Sequence, residues 1–105
     1  MTSKEIQLLK KMKELIREGK RKFQERKDRL YLDDLAELEL TEEQAWNHIL
    51  RLNPNMYFND PKPFYNQSSN KLTFKKLINK KKAYIKLALI NDEVVVCWSF
   101  HKDGE

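Results

Sequence analysis

Glycine and cysteine are nearly absent from this 105-residue chain, which has two glycines, Gly19 and Gly104, and one cysteine, Cys97. Two glycines cannot build a P-loop or a GxGxxG dinucleotide turn, each of which needs several so that backbone can approach phosphate closely. Nucleotide-fuelled chemistry is therefore not expected. One cysteine forms no internal disulfide, and with only His48 and His101 beside it neither a CxxC nor an HExxH metal site can be assembled. The chain is expected to use no metal and no cofactor. No run approaches 18 uninterrupted apolar residues, and the start MTSKEIQLLKKMKEL has neither a continuous apolar stretch nor a small-residue cleavage site. These absences predict a cytoplasmic protein with no membrane partner.

What is present suffices for one small core. Forty per cent of the residues are hydrophobic, with five Phe, four Tyr and two Trp, and the length is that of a single domain. Twenty-one Lys and Arg against 16 Asp and Glu leave a net charge of +5, which makes polyanions, nucleic acid first, the default partner class. The charge is segregated along the chain. Residues 1–30 hold eleven basic and five acidic side chains, residues 31–60 one and seven, and residues 61–105 nine and four. An acidic middle between basic ends predicts a folded domain with its basic excess gathered on one face.

Local signals place the elements. Thr2 and Glu5 have capping-box spacing, Ile6, Leu9, Met12, Leu15 and Ile16 follow at helical intervals, and Gly19 stands where a left-handed terminator belongs. A helix from about Ser3 to Glu18 is expected. Lys20 to Arg29 is a charged run in which only Phe23 is apolar, read as a solvated helix face or a linker, with a grip on a phosphate backbone or an acidic partner as the alternative. Leu32, Leu35 and Leu38 behind Asp33 and Asp34 predict one or two helical turns. A better-specified helix starts at Thr41, with Gln44 at its third position and Ala45, Trp46, Ile49 and Leu50 on its inner face, and stops at Asn53-Pro54.

Residues 53–70, with three prolines and five asparagines, read as a long loop holding Tyr57, Phe58, Phe64 and Tyr65. Three strand-like runs follow at Lys71–Ile78, Ala83–Ile90 and Val94–His101, with hairpin-length gaps between them. The expected fold class is α+β, with N-terminal helices packed on one face of a C-terminal antiparallel sheet of about three strands. Strict alternation puts Leu72, Phe74, Ile85, Leu87, Leu89, Val94, Val96, Trp98 and Phe100 in the core, with Leu77 a further candidate for that side. It leaves Thr73, Lys75, Tyr84, Lys86, Ala88, Val95, Cys97, Ser99 and His101 on an open face.

That face carries groups suited to a phosphodiester. RNA cleavage without a metal needs a group to take the 2′-OH proton, cations to offset charge on the phosphorane, and an acid near the 5′-oxygen. His101 is the candidate base or acid, because an imidazole is the side chain that titrates nearest neutral pH. Lys75, Lys76 and Lys86 are candidates for holding phosphate, and Tyr84 for donating a hydrogen bond or a proton. A plainer reading stands beside this one: alternating Lys and Tyr on a strand also describes a half-exposed sheet face with no ligand, and His48 and Cys97 read as a helix-surface residue and a small filler.

The segments Tyr84-Ile85-Lys86-Leu87 and Val94-Val95-Val96-Cys97-Trp98-Ser99-Phe100-His101 resemble the C-terminal signature of the MqsR family of type II toxins. Leu40-Thr41-Glu42-Glu43-Gln44-Ala45-Trp46 and the stretch through Asn53-Pro54 to Tyr57-Phe58 are similar to that family's helix and the loop it leads into. The resemblance implies a RelE-like fold and a single mRNA-interferase toxin domain over residues 1–105, acting as an endoribonuclease on mRNA to inhibit translation. It also implies a cognate antitoxin of the zinc-binding, helix-turn-helix type, with operator DNA contacted only through the toxin–antitoxin complex. By position, the family's catalytic tyrosine falls on Tyr84, its basic residue at the end of the last strand on His101, and the basic residue after a strand aromatic on Lys75 or Lys76.

One departure concerns charge. Relatives often carry lysine directly after the loop's aromatic pair, whereas Asn59 stands here and the nearest lysine is Lys62. An amide cannot neutralise a phosphorane, so the charge falls to Lys62, to the sheet lysines, or is missing and activity is weaker. The full set of expected site residues is thus Tyr84, His101, Lys75 and Lys76 for catalysis, and Lys62, Lys86, Lys102, Tyr57 and Phe58 for RNA binding. The alternatives are a non-catalytic RNA- or ribosome-binding module and a protein-interaction domain that docks an antitoxin.

Overall fold

The structure is a computed structural model that describes residues 1–27, 29–59 and 70–104. Its elements are α1 (Ser3–Arg17), β1 (Arg21–Phe23), α2 (Tyr31–Glu37), α3 (Glu42–Leu50), a 3-10 turn (Pro54–Met56), β2 (Lys71–Ile78), β3 (Lys81–Ile90) and β4 (Val94–Lys102).

The helices end where local chemistry tells them to. Thr2 Oγ1 accepts from the Glu5 amide at 3.1 Å while Glu5 Oε1 accepts from the Thr2 amide at 2.8 Å, closing the capping box of α1. Its other end is a Schellman turn in which Gly19 sits at φ +82° and the Lys20 amide reaches back to the Leu15 carbonyl at 2.9 Å. The second capping box, Thr41 with Gln44, opens α3 in the same way. α2 ends in a Schellman turn too, but its left-handed residue is Glu39 at φ 62°.

The sheet order is β1-β4-β3-β2. The antiparallel meander expected at the C-terminus is present as β2, β3 and β4, and the strand count is corrected from three to four. Residues Arg21–Phe23, read as part of a charged run, pair parallel with β4 as Arg21 with Val95, Lys22 with Val96 and Phe23 with Cys97. One apolar side chain suffices to recruit this short strand, because Phe23 is buried between Tyr31 and Trp46, each ring centroid 4.7 Å away. The core lies between the helices and one sheet face, built on Met12, Ile16, Leu35, Leu38, Trp46, Ile49, Leu72, Phe74, Ile85 and Leu87.

A bulge in β4 corrects the expected face assignment. Leu87 pairs with Cys97 but Lys86 pairs with Ser99, so Trp98 is the extra residue. Before the bulge, Val95 and Cys97 face the core with Leu89 and Leu87, and Val94 and Val96 face away, the reverse of strict alternation. After it, Phe100 returns to the core beside Ile85, and Ser99 and His101 face away as expected. Leu77, the further candidate for the core side, is 70% exposed, because Leu72, Phe74, Lys76 and Ile78 occupy the inward parity of β2. The second face is also less open than expected: Thr73, Tyr84, Ala88 and Val96 are buried there although none belongs to the core cluster.

Candidate functional site

Register places three side chains in one row across the second face. Lys75 of β2 pairs with Tyr84 of β3, and Tyr84 pairs with His101 of β4. The Tyr84 and His101 rings stack at 5.3 Å with 26° between their planes. The next row is Thr73, Lys86 and Ser99, and the Lys86 ammonium lies 5.5 Å from the centre of the Tyr84 ring. The bulge at Trp98 brings this about, since it is the extra residue that lets both Cys97 and Phe100 face inward while His101 stands opposite Tyr84.

His101 Nδ1 lies 2.9 Å from the Lys102 carbonyl, and in the tautomer that donates there the lone pair is on Nε2. Tyr84 is only 8% exposed, held between the imidazole and Phe58, whose ring sits edge-on at 6.4 Å. The Lys75 ammonium lies 3.9 Å over the Phe58 ring and 3.2 Å from Asp103 Oδ2. Beside His101, a shallow, solvent-open cleft lies where the β1–β4 edge meets α2, lined by Arg26, Arg29, Asp34 and Trp98 among others. Arg26 Nη2 donates to Ser99 Oγ at 3.3 Å, and Arg29 Nε lies 2.9 Å from both carboxylate oxygens of Asp34.

The structure therefore brings together Tyr84, His101, Lys75, Lys86 and Phe58, and separates others from them. Lys76 has the inward parity of β2, pairs with Ala83, and sends its ammonium to the His48 carbonyl at 3.3 Å, on the opposite side of the sheet from His101. Lys102 pairs with Ala83 and is exposed on that opposite side as well, joining the row only through its carbonyl. Tyr57 is anchored by its hydroxyl to Glu5 and lies edge-on to Phe74 at 6.0 Å, leaving it unsuited to stacking on a base. Lys62, Phe64 and Tyr65 lie outside the described residues.

One member of the site, Asp103, went unread in the sequence. Arg26 belongs to the basic run for which a phosphate contact was the alternative reading, while the strand within that run was not anticipated. Asp103 follows β4, and its amide is held by the Lys82 carbonyl at 2.7 Å, which aligns it with Lys75. Burial pushes the Cys97 thiol far above its ordinary range, so this cysteine is not a nucleophile at neutral pH. Among the described residues no cluster of three or more His, Cys, Asp or Glu side chains is placed to hold a metal ion, and no helix is long and apolar enough to cross a membrane. No protein-family model matches the chain, and no curated protein matches it.

Proposed function

We propose that this protein is a type II toxin of the RelE-like, MqsR-related kind, a cytoplasmic endoribonuclease that cleaves mRNA and so inhibits translation. The observation that supports this reading best is the row Lys75–Tyr84–His101, with Lys86 in the adjoining row. The 2′-OH of RNA would attack the adjacent phosphorus and the 5′-oxygen would leave, producing a 2′,3′-cyclic phosphate. His101 Nε2 takes the 2′-OH proton or returns one to the leaving oxygen. Lys75 and Lys86 offset the charge that develops on the phosphorane, and the Tyr84 hydroxyl donates to a phosphate oxygen. Phe58 and the cleft lined by Arg26 and Arg29 provide surfaces for flanking bases. The partners in this reading are mRNA and a zinc-binding, helix-turn-helix antitoxin, with operator DNA reached only through the complex.

The test is induced expression of the wild type beside His101→Ala and Tyr84→Ala, followed by purified protein on RNA in EDTA. Growth arrest with RNA cleavage in EDTA that both substitutions abolish is the expected result. Intact RNA and normal growth with soluble wild type would end the catalytic reading. A non-catalytic RNA-binding module is favoured by one observation, the occupation of Lys75 by Asp103 beside a buried Tyr84. It predicts salt-sensitive RNA affinity that survives His101→Ala.

A further inference from the structure

Four cations and a histidine gather on the helix side of the sheet, away from the Lys75–Tyr84–His101 row. Lys13 and Arg17 stand one turn apart on α1, His48 and Arg51 stand at the end of α3, and Lys76 projects from β2 to meet them. Lys13 Nζ donates to the Leu52 carbonyl and Lys76 Nζ to the His48 carbonyl, so ammoniums from two different elements are tethered at the negative end of α3. An ammonium has three hydrogens, and each of these two spends one there. Among the described residues none of Lys13, Arg17, Arg51 and Lys76 has a carboxylate partner, although Glu14 stands one turn from Arg17 on α1.

The end of α3 accounts for the two lysines but not for the exposed arginines beside them, nor for the repulsion the group sustains. Burial first, and then Arg17, holds Lys13 below the ordinary lysine range; burial, then Arg51 and Lys13, does the same to Lys76. His48 is lowered by burial, then by Lys76 and Arg51, and its Nδ1 is buried without a hydrogen-bond partner. Like charges held this close gain from an anion that enters among them.

We propose that this cluster is a site for a phosphate group carrying two negative charges, free or at the end of a nucleotide chain, held by the Lys13 and Lys76 ammoniums with Arg17 and Arg51 at its rim. Lys13 and Lys76 arrive from α1 and β2, and the tetrahedrally arranged oxygens of phosphate can accept from both and from a guanidinium together, whereas the two oxygens of a carboxylate lie in one plane. Two negative charges relieve the crowding of four positive ones better than one does. The ligand is the anion itself and not a strand passing from the row on the second face. No aromatic side chain belongs to the cluster to stack a base, and the outer edge of β2 is closed by the preceding segment, Tyr57 being bridged to Phe74 and the Phe58 amide bound to the Thr73 carbonyl. The endoribonuclease reading therefore does not enter this inference.

The experiment uses the full chain carrying His101→Ala, which leaves His48 as the one histidine and its imidazole signals unambiguous in NMR. Inorganic pyrophosphate is the probe, against sodium chloride of equal ionic strength. It should raise the His48 titration midpoint, because an anion nearby favours the imidazolium, and raise the melting temperature, because the site joins α1, α3 and β2. Arg17→Gln/Arg51→Gln should weaken both responses several-fold, and Arg17→Lys/Arg51→Lys should keep most of them. Both arginines are exposed and hold no partner among the described residues, so neither pair removes a contact the fold uses. A response to pyrophosphate alone makes the source a free anion; an equal response to a 5′-phosphorylated RNA trinucleotide, but not to its 5′-hydroxyl form, makes it a chain end, and either upholds the site. A midpoint that pyrophosphate moves no further than chloride overturns it, as does a response that the Gln pair retains in full. So does an equal response to the 5′-hydroxyl trinucleotide or to polyglutamate of the same charge.

Discussion

The Tyr57 hydroxyl donates a 2.6 Å hydrogen bond to Oε2 of Glu5, the residue whose other oxygen caps α1 on the Thr2 amide. One carboxylate thus fixes both the start of the first helix and the start of the long loop before β2. The Phe58 amide, next in the chain, donates to the Thr73 carbonyl at 2.9 Å, which carries this anchoring to the edge of the candidate site. Tyr57 therefore acts in placing Phe58 against Lys75 and Tyr84.

Removing the phenol should be visible as a pH effect. The Thr2 amide first, and then the Tyr57 hydroxyl, hold the Glu5 carboxyl below its ordinary range, so its contribution is present above the unfolded-state value and lost as pH falls through the lowered one. Tyr57 is pushed up to about 12, chiefly by its bond to Glu5. Its contribution is full below about pH 10 and lost as pH rises through about 12. Tyr57→Phe should cost about 1 kcal/mol in urea denaturation at neutral pH and flatten the alkaline decline between those values. An alkaline profile identical to wild type would show that this bond contributes nothing.

Two left-handed positions occupied by ordinary residues invite glycine. Glu39, at φ 62°, closes the Schellman turn of α2, and Lys80, at φ 67°, is the second residue of the β2–β3 turn after Asn79 at φ 50°. That pair of angles is a type I′ turn, for which Asn-Gly is the preferred sequence. Lys80→Gly and Glu39→Gly should each raise stability by about 0.5–1 kcal/mol, the relief of left-handed strain exceeding the added freedom of the unfolded chain. Asn79→Ala should lower it, because the Asn79 amide also donates to the Leu38 carbonyl at 2.9 Å. Thermal melts of the three variants check both directions.

The stacked pair separates ring from hydroxyl. Tyr84→Phe keeps the ring against His101 and removes only the donor, so RNA cleavage should fall about a hundredfold with the melting temperature little changed. His101→Gln should cost about 10²- to 10⁴-fold in the cleavage rate, the range of a general acid or base. Single-turnover rates on one defined RNA decide the matter, and wild-type rates in either variant would remove that residue from the chemistry.

In the proposed reaction an RNA phosphate would have to compete with Asp103 for Lys75. Both side chains of this pair are about a quarter exposed, so water screens the attraction and an RNA phosphate can take the place of the carboxylate. In a His101→Ala background, Asp103→Asn should tighten RNA binding several-fold and Lys75→Ala should weaken it, read by fluorescence anisotropy at low salt. Equal affinity in all three proteins would place the RNA elsewhere.

The extent to which the sequence determined this protein follows the range of the interactions involved. Two capping boxes, the Gly19 terminator and the hairpins of the meander rest on contacts within a few residues, and each lies where its residues predict. The α+β class follows from their order. Tertiary structure alone decided the rest. Phe23 turned a charged run into a parallel edge strand because Trp46 and Tyr31 enclose its ring. Trp98 reversed the facing of the first half of β4 because a bulge depends on the partner strand, and a period of two counted along one strand contains no trace of it. The same dependence on a partner separated Lys75 from Lys76, paired Asp103 with Lys75 and set His101 on Tyr84, for the register of neighbouring strands is chosen by the whole packed face.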